Sequence, residues 1–338
     1  MNKDFLLKKY SSEYKDRVIE LLDGLWHFDK EEKLRYFKWK FEDNPFTDDV
    51  VGFIALDGDK VVAFRGYMVQ PMRFGNIKFL NAQLADTVTD PNYRRMGLFK
   101  AITQFSINEL EKDHRFGTSL NSSSGGPTLG GYLKLDWKPL SEREHIFRMS
   151  MLGIIRKLTH RIKVFEESEK IKSDLKFVLS KENEPEQIAS IPFEYNRISH
   201  DHVSKYYDWR LKNPHNKFVY AYLYCKENLI AYYVLNDLGK GRYDIIDFNG
   251  INDSSLKILL NYFCRKTSPL YVTLWTVGKN NVIYRNKSKF GFVPLNILLR
   301  HIKSFRKPPF LVRKFNDFEI NMMDQTSWNL NKIIADEV

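Results

Sequence analysis

Leu84-Ala-Asp-Thr-Val-Thr-Asp-Pro-Asn-Tyr-Arg-Arg-Met-Gly-Leu-Phe-Lys-Ala-Ile102 decides how this chain is read. It predicts a short strand, a turn at Asp90-Pro91, a loop carrying Arg94 and Gly97, and then a helix. A loop that feeds backbone N–H groups into a helix start is an anion site, because those first donors have no partner within the helix. Gly97 has no Cβ and lets the backbone come close to a ligand. Arg94 and Arg95 add positive charge and bidentate donors. The expected ligand is a phosphate or diphosphate.

Outward from that segment, the chain repeats itself. Tyr36-Phe-Lys-Trp-Lys-Phe-Glu-Asp-Asn-Pro45 matches Tyr206-Tyr-Asp-Trp-Arg-Leu-Lys-Asn-Pro214 with one gap. Each copy precedes two alternating apolar runs joined by a polar turn, residues 51–56 and 61–69 in one and 218–224 and 229–235 in the other. Each copy closes on a similar phrase, Leu133-Lys-Leu-Asp-Trp-Lys-Pro-Leu140 or Ser288-Lys-Phe-Gly-Phe-Val-Pro-Leu295. Four features in one order indicate two homologous domains. Further elements expected in the first copy are a helix at 14–22, a strand at 81–88, a helix at 98–110 and a strand at 116–121. The fold class is therefore α/β, with strands interleaved by helices. The expected limits are 1–148, a connecting segment with helical character at 149–190, and 191–338.

Composition narrows the class. The chain has 338 residues, 43% of them hydrophobic, enough for two cores. No stretch is long and apolar enough to cross a membrane, so no stable membrane insertion is expected. Met1 leads into polar sequence without a secretory pattern, and two cysteines make no disulfide framework. A cytoplasmic location is expected. Nothing has metal-ligand spacing and no nucleic-acid motif is present, so neither a metal nor nucleic acid is expected. The net charge of +11 suits anionic small molecules.

The loop Arg94-x-x-Gly97, with the preceding strand-Asp-Pro-x-Tyr and the following apolar helix, resembles the acyl-CoA loop of the GNAT acyltransferases. Phe99 stands where that family usually has glycine or alanine. The resemblance covers about residues 5–145, and 193–320 by internal similarity. It implies two tandem GNAT domains, with mixed central sheets flanked by helices. It also implies acyl-CoA as co-substrate, its diphosphate held by Arg94, Arg95, Met96, Gly97, Leu98 and Phe99. In such folds a backbone N–H at the splayed end of the fourth strand polarises the thioester carbonyl; Thr87 or Val88 would supply it. Tyr132-Leu-Lys-Leu-Asp-Trp137 resembles the family's Tyr-x-Lys-x-Gly-Phe, which makes Tyr132 the general acid, with Asp136 in place of the glycine. Asn121 closes the fifth strand, where the family often bonds the pantetheine. Asp86 lies near the expected carbonyl. The loop Ser122-Ser-Ser-Gly-Gly-Pro127 offers hydroxyls and N–H groups to the CoA chain or an acceptor phosphate.

In the second copy Asp247-Phe-Asn-Gly-Ile-Asn-Asp-Ser-Ser255 has no arginine before a glycine, so no second CoA site is expected. That half would shape the acceptor site, with His200, His215, Asp247 and Asn249 as candidate ligands and His202 beside them. Trp39 and Trp209 read as core residues. The resemblance implies direct N-acyl transfer, of acetyl or a short hydroxyacyl group such as 3-hydroxybutanoyl, to a dTDP- or UDP-linked amino sugar of the kind used in surface polysaccharide. Neither cysteine stands beside a base that would support an acyl-enzyme. Two alternatives remain at this stage: a tRNA-dependent aminoacyl transferase of cell-wall synthesis, and a non-catalytic acyl-CoA-binding module.

Overall fold

The computed structural model describes residues 4–122, 128–150, 167–172, 174–277, 280–295, 309–316 and 320–335. In the front half come β1 (Leu6–Lys9), α1 (Lys15–Leu22), α2 (Lys30–Phe37), β2 (Gly52–Asp57), β3 (Lys60–Phe74) and β4 (Ile77–Thr89). They are followed by α3 (Leu98–Glu111), β5 (Phe116–Asn121), α4 (Leu129–Leu133) and β6 (Lys138–Met149). Among the described residues, the interval expected as a connector adds two strands and one short helix: β7 (Glu167–Lys172), β8 (Leu175–Ser180) and α5 (Pro185–Ser190). The rear half continues with β9 (Ser199–His200), α6 (Ser204–Arg210), β10 (Phe218–Cys225), β11 (Asn228–Asp237) and β12 (Arg242–Gly250). Then come α7 (Asp253–Thr267), β13 (Tyr271–Val277), α8 (Val282–Arg285), β14 (Val293–Pro294) and β15 (Pro309–Lys314).

The two halves follow one plan. In the front, β2–β3 and β3–β4 pair antiparallel and β4–β5 parallel, with α3 crossing over between β4 and β5. In the rear, β10–β11 and β11–β12 are antiparallel and β12–β13 parallel, with α7 as the crossover. Both third strands carry a register shift against the second. The repeated tryptophans meet across this duplication: Trp39 Nε1 donates to the Trp209 carbonyl at 2.9 Å, and Trp209 Nε1 to the Trp39 carbonyl at 2.8 Å. Both are buried, as their core reading required. Asp136 and Gly291, matched in the closing phrases, both have positive φ, 63° and 75°. Asp136 thus takes the left-handed conformation that glycine adopts freely.

The halves also share strands. The sheet order is β1-β2-β3-β4-β5-β15-β6-β13-β12-β11-β10-β8-β7, with β9 on β3 and β14 on β6. β15 runs antiparallel between β5 and β6, so a strand near the chain's end completes the front sheet. β6 crosses from one sheet into the other by pairing β13. The expected boundary at 148 falls at the end of β6, the strand that links the two sheets.

Alternation along β2 and β3 assigns the faces. Phe53, Ala55, Ala63 and Tyr67 join the core under α3, with Leu98, Ile102, Ile107 and Leu110 from the helix. Ile54, Leu56, Phe64 and Val88 join the core under α1 and α2.

Candidate active site

A shift in register creates the site. Arg65 pairs with Thr87 but Tyr67 pairs with Leu84, so Ala85 and Asp86 bulge out of β4 opposite Gly66. Parallel pairing of β4 with β5 ends at Gln83 and Leu120, and the strands part beyond it. The ladder decides between Thr87 and Val88. Asp90 N–H donates to the Val62 carbonyl at 2.9 Å. Antiparallel donors alternate in direction, so Val88 N–H is committed to β3, two residues before Asp90 in the same register. Thr87 N–H points the other way, into the gap facing β5. On that side β4 has no pairing with β5 beyond Gln83.

The loop beyond is pinned at its base. Asp90 accepts from Asn92 N–H and pairs with Lys60 at 2.7 Å, which holds its carboxyl below the usual carboxylate range. Tyr93 donates to Asp57 at 2.7 Å. Arg95 and Gly97 then turn through positive φ, 66° and 79°, to open α3 at Leu98. Arg94, Arg95, Met96 and Gly97 are exposed, and neither guanidinium makes an ion pair with the described residues. A Cβ on Gly97 would meet nothing within 4 Å, so it would project into the space before the helix start. This arrangement fits a diphosphate: open N–H donors, two unpaired cations and no side chain in the cradle. Leu98 is buried in the α3 core. Phe99 lies edge-on to Tyr132 at 5.3 Å, and Gly131 makes room for it, since a Cβ there would stand 2.7 Å from the ring.

Tyr132, on α4, is buried, and its hydroxyl accepts from Arg65 Nη2 at 3.4 Å, the guanidinium that also bonds Thr87 Oγ1. Asn121 is buried at the end of β5, where that strand pairs with Leu311 of β15. Residues 123–127 of the serine- and glycine-rich loop lie outside the described residues.

Asp86 faces the opposite side of β4. Its carboxylate accepts from Trp26 Nε1 at 3.1 Å and pairs with buried Lys40 at 2.8 Å. Both oxygens of Asp86, expected near the thioester carbonyl, therefore tie the segment after α1 and the π turn after α2 to the bulge. Lys40 reaches it because α2 widens into a π turn over Lys38–Glu42 that turns Trp39, Lys40 and Phe41 inward.

The rear-half candidates divide. His215 stacks on Phe28 at 4.1 Å, meets Tyr36 edge-on at 4.6 Å, and places Nδ1 3.3 Å from Glu32, all front-half residues. Its Nε2 is buried without a partner. Burial lowers its pKa, with Glu32 opposing and Arg35 and Lys40 adding to the effect. His200 and Asp247, expected as candidate acceptor ligands, are interior. Tyr207 Oη bonds His200 Nε2 at 3.0 Å, His202 Nδ1 at 2.6 Å and Tyr232 Oη at 3.1 Å. Tyr232 and Asn331 donate to Asp247 at 2.7 and 2.6 Å. Two fully buried imidazoles and a carboxylate need such partners, and that need holds them inside. Asn249 is partly exposed, donating to the Pro192 carbonyl and accepting from Gly250 N–H. The α7 start is closed as well. Asn252 caps it by accepting from Ser255 N–H, Asp253 occupies its first turn, and a Cβ on Gly250 would collide with Ser255 and Leu256.

Residues 7–138 match the family model described as an acetyltransferase (GNAT) domain. The front of the chain thus matches a GNAT domain, within a mixed α/β architecture of two halves built to one plan. A protein from Enterococcus faecalis V583, described as a "probable N-acyltransferase", superposes with a TM-score of 0.67 at 13% identity, covering 93% of this chain and 73% of that one. A GCN5-related N-acetyltransferase from Anabaena variabilis ATCC 29413 gives 0.63 at 12% identity, with the same coverage of 93% and 73%. A tandem GNAT protein from the clavulanic acid pathway gives 0.51 at 11% identity over 94% of this chain and 100% of that one. At these identities the likeness is one of fold. No curated protein matches the sequence. Among the described residues no cluster of His, Cys, Asp or Glu is gathered as a metal site, and no helix is long and apolar enough to cross a membrane.

Sequence reasoning passed over Arg65, Lys40 and Trp26. A signal was present: Arg65 interrupts the apolar run Val61-Val-Ala-Phe-Arg-Gly-Tyr-Met-Val69.

Proposed function

We propose that the chain transfers an acyl group from coenzyme A to the primary amine of a nucleotide-linked amino sugar, by direct attack within a ternary complex. The observation that supports this reading is that one guanidinium, Arg65, bonds both Thr87 Oγ1 and Tyr132 Oη where β4 and β5 part, next along the chain to the open Arg94–Gly97 loop. Main-chain donors of that loop and the two arginines take the diphosphate. The thioester carbonyl lies against Thr87 N–H, which strengthens its bond as negative charge develops on oxygen. The amine forms the C–N bond as the C–S bond breaks, and Tyr132 supplies the proton to sulfur. Asn121 lines the same opening.

The acceptor enters from the α1 and α2 face. A cavity of about 470 Å³ lies there, with Arg17, Glu20 and Leu21 of α1 against Lys60, Val88, Asp90 and Arg94. Cations beside carboxylates suit a ligand carrying both phosphate and amine. His215, stacked on Phe28 with its Nδ1 beside Glu32, is the rear-half candidate packed against α2. We assign 1–148 as the catalytic segment, completed by β15, and 191–338 as the degenerate copy.

The test is a thiol-release screen crossing acetyl-CoA and 3-hydroxybutanoyl-CoA with dTDP- and UDP-linked amino sugars. Turnover with at least one pair is expected. CoA binding without thiol release would leave a sensor, and stabilisation by tRNA alone would transfer the protein to aminoacyl chemistry.

A further inference from the structure

Arg65 is fully buried on β3, directly across from Thr87, and no carboxylate pairs with it among the described residues. Burying a guanidinium without a counter-anion is unfavourable, so its hydrogen bonds have to justify the position. Nε donates to Tyr67 Oη at 2.9 Å, Nη1 to Thr87 Oγ1 at 3.3 Å and Nη2 to Tyr132 Oη at 3.4 Å. Its charge lies 5.7 Å from the Phe99 ring centre.

The two tyrosines differ in one respect. Ser106 Oγ donates to the Thr103 carbonyl at 2.7 Å, so at the 2.7 Å contact between Tyr67 and Ser106 the proton comes from Tyr67. The Tyr67 proton is thus committed. Tyr132 Oη accepts from Arg65, and no acceptor for its own proton stands among the described residues.

Resting on the acyl-transfer reading above, we infer that Arg65 is a positioning residue for both ends of the reaction. It holds Thr87, whose N–H faces the carbonyl, and it occupies a lone pair of Tyr132 so that the hydroxyl proton is directed to the sulfur. In the step itself the amine lone pair forms the C–N bond and the C–S pair leaves on sulfur. The Tyr132 proton passes to sulfur. The phenolate is held by the guanidinium until water returns a proton, and the proton lost by nitrogen goes to solvent. A charge-assisted bond to a developing phenolate strengthens as the reaction proceeds, which is the condition for it to raise kcat.

The experiment compares wild type, Arg65→Met, Arg65→Lys, Tyr132→Phe and the double variants, using acetyl-CoA and the best amino-sugar acceptor of the screen. Arg65→Met should lower kcat about 10- to 100-fold with KM for acetyl-CoA nearly unchanged. Arg65→Lys, a point charge without the fork, should recover part of that loss. In the Tyr132→Phe background either change should cost clearly less than in wild type, the remainder being the part exerted through Thr87. Independent, multiplying effects, or a loss confined to KM, would overturn the inference. Should Arg65→Met not fold, the Arg65→Lys cycle carries the same two outcomes. A wild type that releases no thiol with any acceptor overturns the acyl-transfer reading, and this inference with it. An active wild type with an unaffected Arg65→Met variant overturns this inference alone.

Discussion

Gly97 and Arg94 show how few side chains the diphosphate cradle needs. The helix start and the left-handed turns present N–H groups, and Arg94 adds an exposed cation. Charge reversal should therefore act on binding alone. Arg94→Glu is expected to weaken coenzyme A binding about 10- to 100-fold, the loss of one charge-assisted bond, with little change in thermal midpoint. Calorimetric titration checks it, and unchanged affinity would remove the loop from the site. Lys40 predicts the opposite pattern. Its ammonium and Asp86 form a buried pair with side-chain exposures of 1% and 11%. Lys40→Met strands the carboxylate beside Trp26 and is expected to cost about 3–5 kcal/mol, read from urea unfolding.

Among the secondary elements, β15 carries the largest consequence. Phe310, Leu311 and Val312 are buried between β5 and β6, and each such side chain contributes about 1.5–3 kcal/mol. Their sum is comparable to the whole stability of a domain. Ending the chain at residue 308 should leave the front half unable to bind coenzyme A, although every loop residue is present. Binding by that truncated chain would show that β15 is dispensable. Leu311→Ala, a milder change, should cost about 2–5 kcal/mol. The short α2 with its π turn matters for a related reason. It turns Trp39 toward its repeat partner and Lys40 toward the bulge at once.

Across the molecule, the contact between halves includes groups that resist protonation. Burial lowers the pKa of His200, with Asp247 and Asp201 opposing. Burial, then the neighbouring His200, lowers that of His202 further. Unfolded histidine takes up a proton near pH 6.5, whereas these two stay neutral to lower pH when folded. The unfolded state thus binds more protons as the pH falls below about 6.5, and stability falls with it, by at most ~1.4 kcal/mol per pH unit for each histidine. Unfolding midpoints at pH 7.5 and 5.5 should differ accordingly, and His202→Gln should flatten the dependence. Equal midpoints would mean that the histidines titrate normally in the folded protein.

The strand–loop–helix around Gly97 and the paired Tyr36 and Tyr206 segments were legible because each is local: turn chemistry, capping and alternation are written in neighbouring residues. The strands at 116–121 and 218–224 were legible for the same reason. Four matters depended on contacts distant in the chain. Thr87 rather than Val88 faces the gap because of a ladder with β3. Arg65 joins Tyr132 across 67 positions. His200 and Asp247 turn inward because Tyr207, Tyr232 and Asn331 satisfy them there. The front sheet closes on a strand from near the other end of the chain, since open edges of β5 and β6 pair with whatever strand packing delivers, and no local pattern records which one that is.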